Sequence, residues 1–193
     1  MEATSLRIII ADDEAVIRMG LKTMVRALGH TVVATARNGD EAIARVKQLQ
    51  PDLLLLDIKM PGLDGLTVAK TLAEENPLPV VMLTAYSQKK LIEEAVAAPV
   101  MGYLVKPVDE AKLAPALEMA VTGFKDRAAA AAEATRLKQR LDARNLIARA
   151  RQLLMAQGIT EAEAYHRLQA AARRRQISLA EQAKRVINRG KIL

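Results

Sequence analysis

Five polar residues stand directly after apolar runs that are too short to be helices. Asp12 and Asp13 follow residues 6–11 (LRIIIA), Asp57 follows four consecutive leucines at 53–56, Thr84 follows 80–83, and Lys106 follows 102–105. They are up to 94 positions apart in the chain. If the runs are strands of one open parallel sheet, all five residues meet at its carboxyl edge, where such sheets bind ligands. Three carboxylates in one pocket repel each other, and some stay protonated unless a cation joins them. Hard oxygen donors with few protein contacts suit Mg²⁺, which keeps waters and binds phosphate. A carboxylate can attack a phosphoryl group and form an aspartyl-phosphate. The metal would then neutralise developing charge, Lys106 would hold phosphoryl oxygens, and Thr84 would donate its hydroxyl to one of them. Each residue also has a plainer role: Asp12-Asp13 as a cap ahead of Glu14, Asp57 as a turn residue, Thr84 as a β-branched strand residue. The combination is far more specific than any member.

The elements that must position these groups alternate. Residues 14–28 carry apolar side chains at a helical period and stop at Gly29. Residues 31–36 are β-branched, Asn38-Gly39-Asp40 turns into a helix over 41–49, and Pro51 ends it. Helices are predicted over 65–75, 88–97 and 109–120, with strands at 80–83 and 102–105 between them. Five βα units with near-continuous apolar strands imply a doubly wound, five-stranded parallel sheet of flavodoxin-like type, with helices on both faces.

From about Gly123 the composition changes. Strands vanish, and alanines run unbroken from 128 to 132. Ala130, Ala134, Leu137, Leu141 and Ala148 share one stripe, interrupted by Arg144. That stripe suits a linker helix packed on a second copy in a homodimer; a monomeric surface helix fits it equally. The last 50 residues are predicted as three helices, the first stopped by Gly158. The second and third begin with capping boxes at Thr160/Glu163 and Ser178/Glu181. The domains expected are therefore 1–122, a helical linker 123–143, and a small all-α output domain 144–193.

Charge divides the same way. Residues 1–124 hold 13 Lys+Arg against 16 Asp+Glu, a net of −3, whereas residues 125–193 hold 16 against 6, a net of +10. A basic tail behind an acidic head points to a polyanionic partner; an Arg-rich solvated helical surface is the plainer account. With 0 cysteines, disulfides and thiolate metal sites are excluded, and 2 histidines, His30 and His166, are too few for a His-based site. No apolar run approaches the roughly 18 residues of a membrane span, and the start lacks a secretory signal pattern, so a cytoplasmic protein with no membrane contact is expected. The tail has no Walker motif, phosphate loop or Ser/His/Asp grouping, so it is not read as an enzyme.

Residues 5–122 resemble the receiver domain of two-component response regulators. The resemblance rests on 10–14 (IADDE), 56–65 (LDIKMPGLDG), 83–85 (LTA) and 102–107 (GYLVKP). It implies that Asp57 is the phosphoacceptor served by a sensor histidine kinase. It also implies that Asp12, Asp13, Asp57 and the backbone carbonyl of Lys59 hold Mg²⁺, that Thr84 and Lys106 contact the phosphoryl group, and that Tyr103 is the switch aromatic. Pro99 stands where many receivers carry a small residue. A receiver promotes only its own phosphorylation and is a switch, not a metabolic enzyme. Enzymes of the haloacid-dehalogenase type, which also use an aspartyl nucleophile, want Asp-x-Asp after the first strand, where this chain has Asp12-Asp13.

Residues 140–190 resemble the ANTAR domain, a three-helix RNA-binding output of antitermination regulators, through 147–155 (IARARQLLM), 158–165 (GITEAEAY), Leu168, Ala171-Ala172 and 178–183 (SLAEQA). Gln152 departs from the glycine usual there. Alanines at 150, 164, 171, 172, 180 and 183 would let short helices approach closely. The family implies RNA stem-loops as partner, with Arg149, Arg151, Arg173, Arg174, Arg175, Lys184 and Arg185 as candidate contacts. Tyr165 suits base stacking, although its helical spacing beside Leu168 favours the core. The alternative output is a DNA-binding helix-turn-helix, against which the third helix begins with Leu179, Ala180 and Glu181, poor base readers. A protein-binding module is the third reading.

Overall fold

In the computed structural model, which describes residues 5–85 and 100–189, the apolar runs become β1 (Arg7–Ala11), β2 (Thr31–Ala36), β3 (Leu53–Asp57), β4 (Val80–Thr84) and β5 (Gly102–Val105). They form one parallel sheet in the order β2-β1-β3-β4-β5. The helix expected over 88–97, and Pro99, lie outside the described residues. The order in which successive strands are laid down reverses between β1 and β3, so the ends of these two central strands open onto one crevice.

Both faces of the sheet are covered, which is why its central strands lack polar alternation. Leu54 and Leu56 face one core with Ile9, Val80 and Met82, under α2 (Gly39–Leu49) and α3 (Gly65–Glu75). Leu53 and Leu55 face the other with Ile8, Ile10, Val81 and Leu83, under α1 (Ala15–Ala27) and the start of α4 (Glu110–Met155). All four leucines of β3 are fully buried, each contributing about 1.5–3 kcal/mol relative to an exposed side chain. The edge strands β2 and β5 are only partly buried.

Caps fix where the helices start. Asn38 accepts a hydrogen bond from the Glu41 amide at 2.8 Å and Asp64 one from the Thr67 amide at 2.7 Å, devices worth about 1 kcal/mol each.

The chain separates into two compact units, Met1–Ala128 and Ala129–Leu193. The linker is not a separate element. One helix, α4, runs from Glu110 to Met155 through Gly123, where the composition of the sequence changes. A lone glycine costs a helix only about 1 kcal/mol, and the alanines and charged residues beyond it are strong helix formers. Residues 126–142 of α4 are exposed throughout, including Leu137 and Leu141.

In the second unit the last turns of α4 pack with α5 (Glu161–Arg175) and α6 (Leu179–Arg189). Their core is built from Ala150, Leu154, Ala164, Leu168, Ala183 and Val186. Ala171 and Ala172 are buried as well, while Ala180 is only half-buried. Thr160 and Ser178 cap α5 and α6 through the amides of Glu163 and Glu181. The reciprocal arm of each expected capping box is diverted: Glu163 pairs with Arg167 and Glu181 with Arg185.

Candidate functional site

The ends of four strands, β1, β3, β4 and β5, bring together the groups singled out from the sequence. Asp12 leaves β1 fully buried, Asp57 ends β3 at 6% exposure, Thr84 ends β4 fully buried, and Asp13 is exposed. Carboxylate oxygens of Asp12, Asp13 and Asp57 lie within 4.8 Å of one another. The Lys106 ammonium sits 2.7 Å from Asp12 Oδ2 and 3.0 Å from Asp57 Oδ2. Main-chain bonds hold this edge in register: the Lys106 amide donates to the Thr84 carbonyl at 2.8 Å, and the Ile58 amide to the Leu83 carbonyl at 3.1 Å. The Thr84 hydroxyl donates to the Ala85 carbonyl at 3.2 Å. Lys59 lies two residues beyond Asp57 with its side chain exposed.

The electrostatics are those of a site short of positive charge. Burial pushes the Asp57 carboxyl above the usual range, and the charge of Asp12 adds to this, while Lys106 pulls it back down. Burial alone would lower Lys106, yet its contacts with Asp12 and Asp57 outweigh that and raise it. Three ionised carboxylates against one ammonium leave a charge of about −2. Apart from Lys106, Asp12 Oδ2 is a buried oxygen with no partner among the described residues. A small divalent cation with oxygen preference fits both the charge and that open oxygen.

Tyr103 on β5 is half-buried against the core that contains Met82, its neighbour across the strand pair, and burial raises its phenol. Two residues at this edge were not picked out from the sequence. Arg18 of α1 donates to the carbonyls of Asp12, at 2.6 Å, and Asp13, at 2.9 Å. Gly65 opens α3 so close to the phosphoacceptor candidate that an added Cβ would collide with the Asp57 carbonyl oxygen. Its signal was its place at the end of the 56–65 motif. Gly65→Ala is expected to lower the stability of the folded chain by about 1–3 kcal/mol, the usual cost of overpacking. Urea unfolding checks this; an unchanged midpoint would mean that the β3–α3 junction yields freely.

The second unit sorts the basic candidates. Arg149 and Lys184 are exposed and line one groove between α4 and α6, with Asp142, Asn145 and Leu146. Arg173 and Arg174 are exposed at the end of α5. Others have partners within the unit: Arg151 with Glu161 and Arg185 with Glu181. Arg175 is half-buried and donates to the buried Gln182 at 3.0 Å, tying α5 to α6. Tyr165, for which helical spacing favoured the core, is 39% exposed. Gln152 is exposed, so the departure from the family glycine falls outside the core.

The family model described as "Response regulator receiver domain" matches residues 8–118, and the one described as "ANTAR domain" matches residues 135–187. The transcriptional regulatory protein PdtaR of Mycobacterium tuberculosis is 40% identical over 186 residues, covering 96% of this chain and 91% of that one. The positive alginate biosynthesis regulatory protein of Pseudomonas aeruginosa is 45% identical over 118 residues, 60% of this chain and 47% of that one. Among solved structures, the signal receiver domain of a modulated diguanylate cyclase from Desulfovibrio desulfuricans matches with a TM-score of 0.60 at 31% identity. That match covers 64% of this chain and 98% of the other.

Proposed function

Because this chain belongs to the response regulators, with a receiver domain followed by an ANTAR domain, we propose that phosphorylation of Asp57 by a sensor histidine kinase controls an RNA-binding output in transcription antitermination. The observation that carries the first half is the Lys106 ammonium, held at 2.7 and 3.0 Å between two buried carboxylates of a three-carboxylate cluster. That arrangement serves phosphoryl transfer better than it serves stability.

A bond forms from an Asp57 carboxylate oxygen to phosphorus as the P–N bond of a phosphohistidine donor breaks, and the imidazole leaves with a proton. Asp12, Asp13, Asp57 and the Lys59 carbonyl would hold Mg²⁺, which when bound neutralises charge on the phosphoryl oxygens. Lys106 exchanges its contact with Asp57 for one with a phosphoryl oxygen. The Thr84 hydroxyl turns from the Ala85 carbonyl to another, and Tyr103 packs into the space it leaves. The receiver turns over nothing except its own aspartyl-phosphate.

In the output domain, the exposed Arg149, Lys184, Arg173 and Arg174 supply the phosphate contacts to RNA stem-loops, and Tyr165 offers a stacking face. Leu137 and Leu141, exposed four residues apart on α4, offer a homodimer seam. The test is hairpin RNA binding by the full chain in Mg²⁺, with and without a small acyl-phosphate donor. A change of at least about fivefold, the low end of allosteric coupling, is expected. Equal affinities in the two states would uncouple receiver from output, and preference for duplex DNA would replace the RNA reading with a helix-turn-helix one.

A further inference from the structure

We infer that Arg18 is a positioning residue for the divalent cation of the acidic pocket: it orders the backbone that aims the Asp12 and Asp13 carboxylates. The inference rests on the receiver reading of that pocket. Intrahelical bonding in α1 begins where the Arg18 amide donates to the Glu14 carbonyl at 3.0 Å. The carbonyls of Asp12 and Asp13 come just before that point and receive no helical partner. A single guanidinium nitrogen, Nη1 of Arg18, reaches back over the first turn and donates to both, at 2.6 and 2.9 Å. Two successive peptide planes are thereby fixed.

The junction needs this support because its other restraints are few. Glu14, at the N-cap position, makes no side-chain capping bond, and the first turn of α1 holds no acidic residue. Asp12 is anchored independently: its amide donates to the Ala36 carbonyl at 3.1 Å, and its Oδ1 accepts from the Glu14 amide at 2.9 Å. Asp13 is exposed, and the peptide that carries its carbonyl is held from both edges, by Arg18 on the carbonyl and by Asp12 Oδ1 on the Glu14 amide. Arg18 itself is half-buried, so its stem is packed and little rotamer freedom remains to be lost in holding the two carbonyls.

Charge and positioning predict opposite signs, which makes the inference testable. Removing a cation beside three carboxylates makes the pocket more negative and, by Coulomb attraction alone, should tighten Mg²⁺ binding. Removing a group that orients the ligands should weaken it, by about tenfold or more where an outer partner of a metal site is lost. The experiment is Mg²⁺ titration of the full chain by calorimetry, without phosphodonor, on the unsubstituted protein, Arg18→Met and Arg18→Lys. Arg18→Met keeps an apolar stem and loses the donors; about tenfold weaker binding is expected. Arg18→Lys keeps a charge and donors near the carbonyls and should stay within about threefold of the parent. If Arg18→Met fails to fold, Arg18→Gln substitutes for it, with the same loss expected, because its amide stops short of both carbonyls. Binding by the folded Met or Gln variant as tight as or tighter than the parent overturns the inference. No saturable Mg²⁺ binding by the unsubstituted protein would instead sink the receiver reading on which it stands.

Discussion

Asp57→Asn is expected to abolish covalent labelling by a small acyl-phosphate donor in Mg²⁺. The amide oxygen is a poor nucleophile, and an acyl-phosphate cannot form on it without expelling nitrogen. Asp12 is buried beneath the Lys106 ammonium and held by the Glu14 amide, and exposed Asp13 lacks that lysine contact, so neither replaces Asp57. The variant should remain folded. Burial raises the Asp57 carboxyl above the usual range, so the charged form is disfavoured in the folded protein. Stability from this group is highest below the ordinary carboxylate pKa and declines as pH rises through the raised value. A neutral amide at position 57 therefore stabilises the metal-free chain at neutral pH, or leaves it unchanged. Hydroxylamine-sensitive label and a thermal melt, taken together, decide the matter. Undiminished label on a folded Asn variant would move the nucleophile elsewhere.

The pocket was legible because its parts follow strands. Four leucines before Asp57 mark a strand buried on both faces, and strand ends in a parallel sheet share an edge whatever their separation in sequence. The pairwise geometry was not legible. That Lys106 bridges Asp12 and Asp57 depends on the β4–β5 register, in which Thr84 sits beside Val105, and register is not written in local pattern. Arg18 was overlooked because a helix-face arginine ordinarily faces water; its use appears only when the carbonyls before α1 are found without helical partners. The second unit misleads in the same way. Tyr165 shares the helical spacing of Leu168, yet Ala164 and Leu168 fill the core and leave the ring outside. Arg175 continues a basic run but turns in to Gln182. The last receiver helix, read over 109–120, and the linker helix, read from 123, are one continuous helix, because one glycine among helix formers does not stop a helix.

Reversing charge at Arg149 and Lys184 together should cost the output more than any other pair among the seven candidate cations. Charge is not spread evenly over the +10 tail. Arg151 and Arg185 are neutralised locally by Glu161 and Glu181, and Arg175 is committed to Gln182. Arg149 and Lys184 share one groove, and Asn145 lines it as well, an uncharged donor. Asp142, on the same groove, would repel a phosphate and so favours a path along the Arg149–Lys184 side. Arg149→Glu with Lys184→Glu should weaken hairpin RNA binding by about 30-fold or more at physiological salt. The log–log salt slope should fall by about 1.4–1.8, since each contact releases on the order of 0.7–0.9 counterions. Reversal at Arg167 and Arg185 together, each already paired with a glutamate, is the control matched in net charge and should cost much less. Titration of labelled hairpin at several salt concentrations checks all three chains. Equal losses in the groove variant and the control would mean that RNA sees only the total charge of the tail, and the groove would lose its place as the phosphate track. A groove-specific loss that depends on loop bases, with stem sequence immaterial so long as pairing is kept, would place loop readout beside that track, as expected where the A-form major groove is closed to side chains.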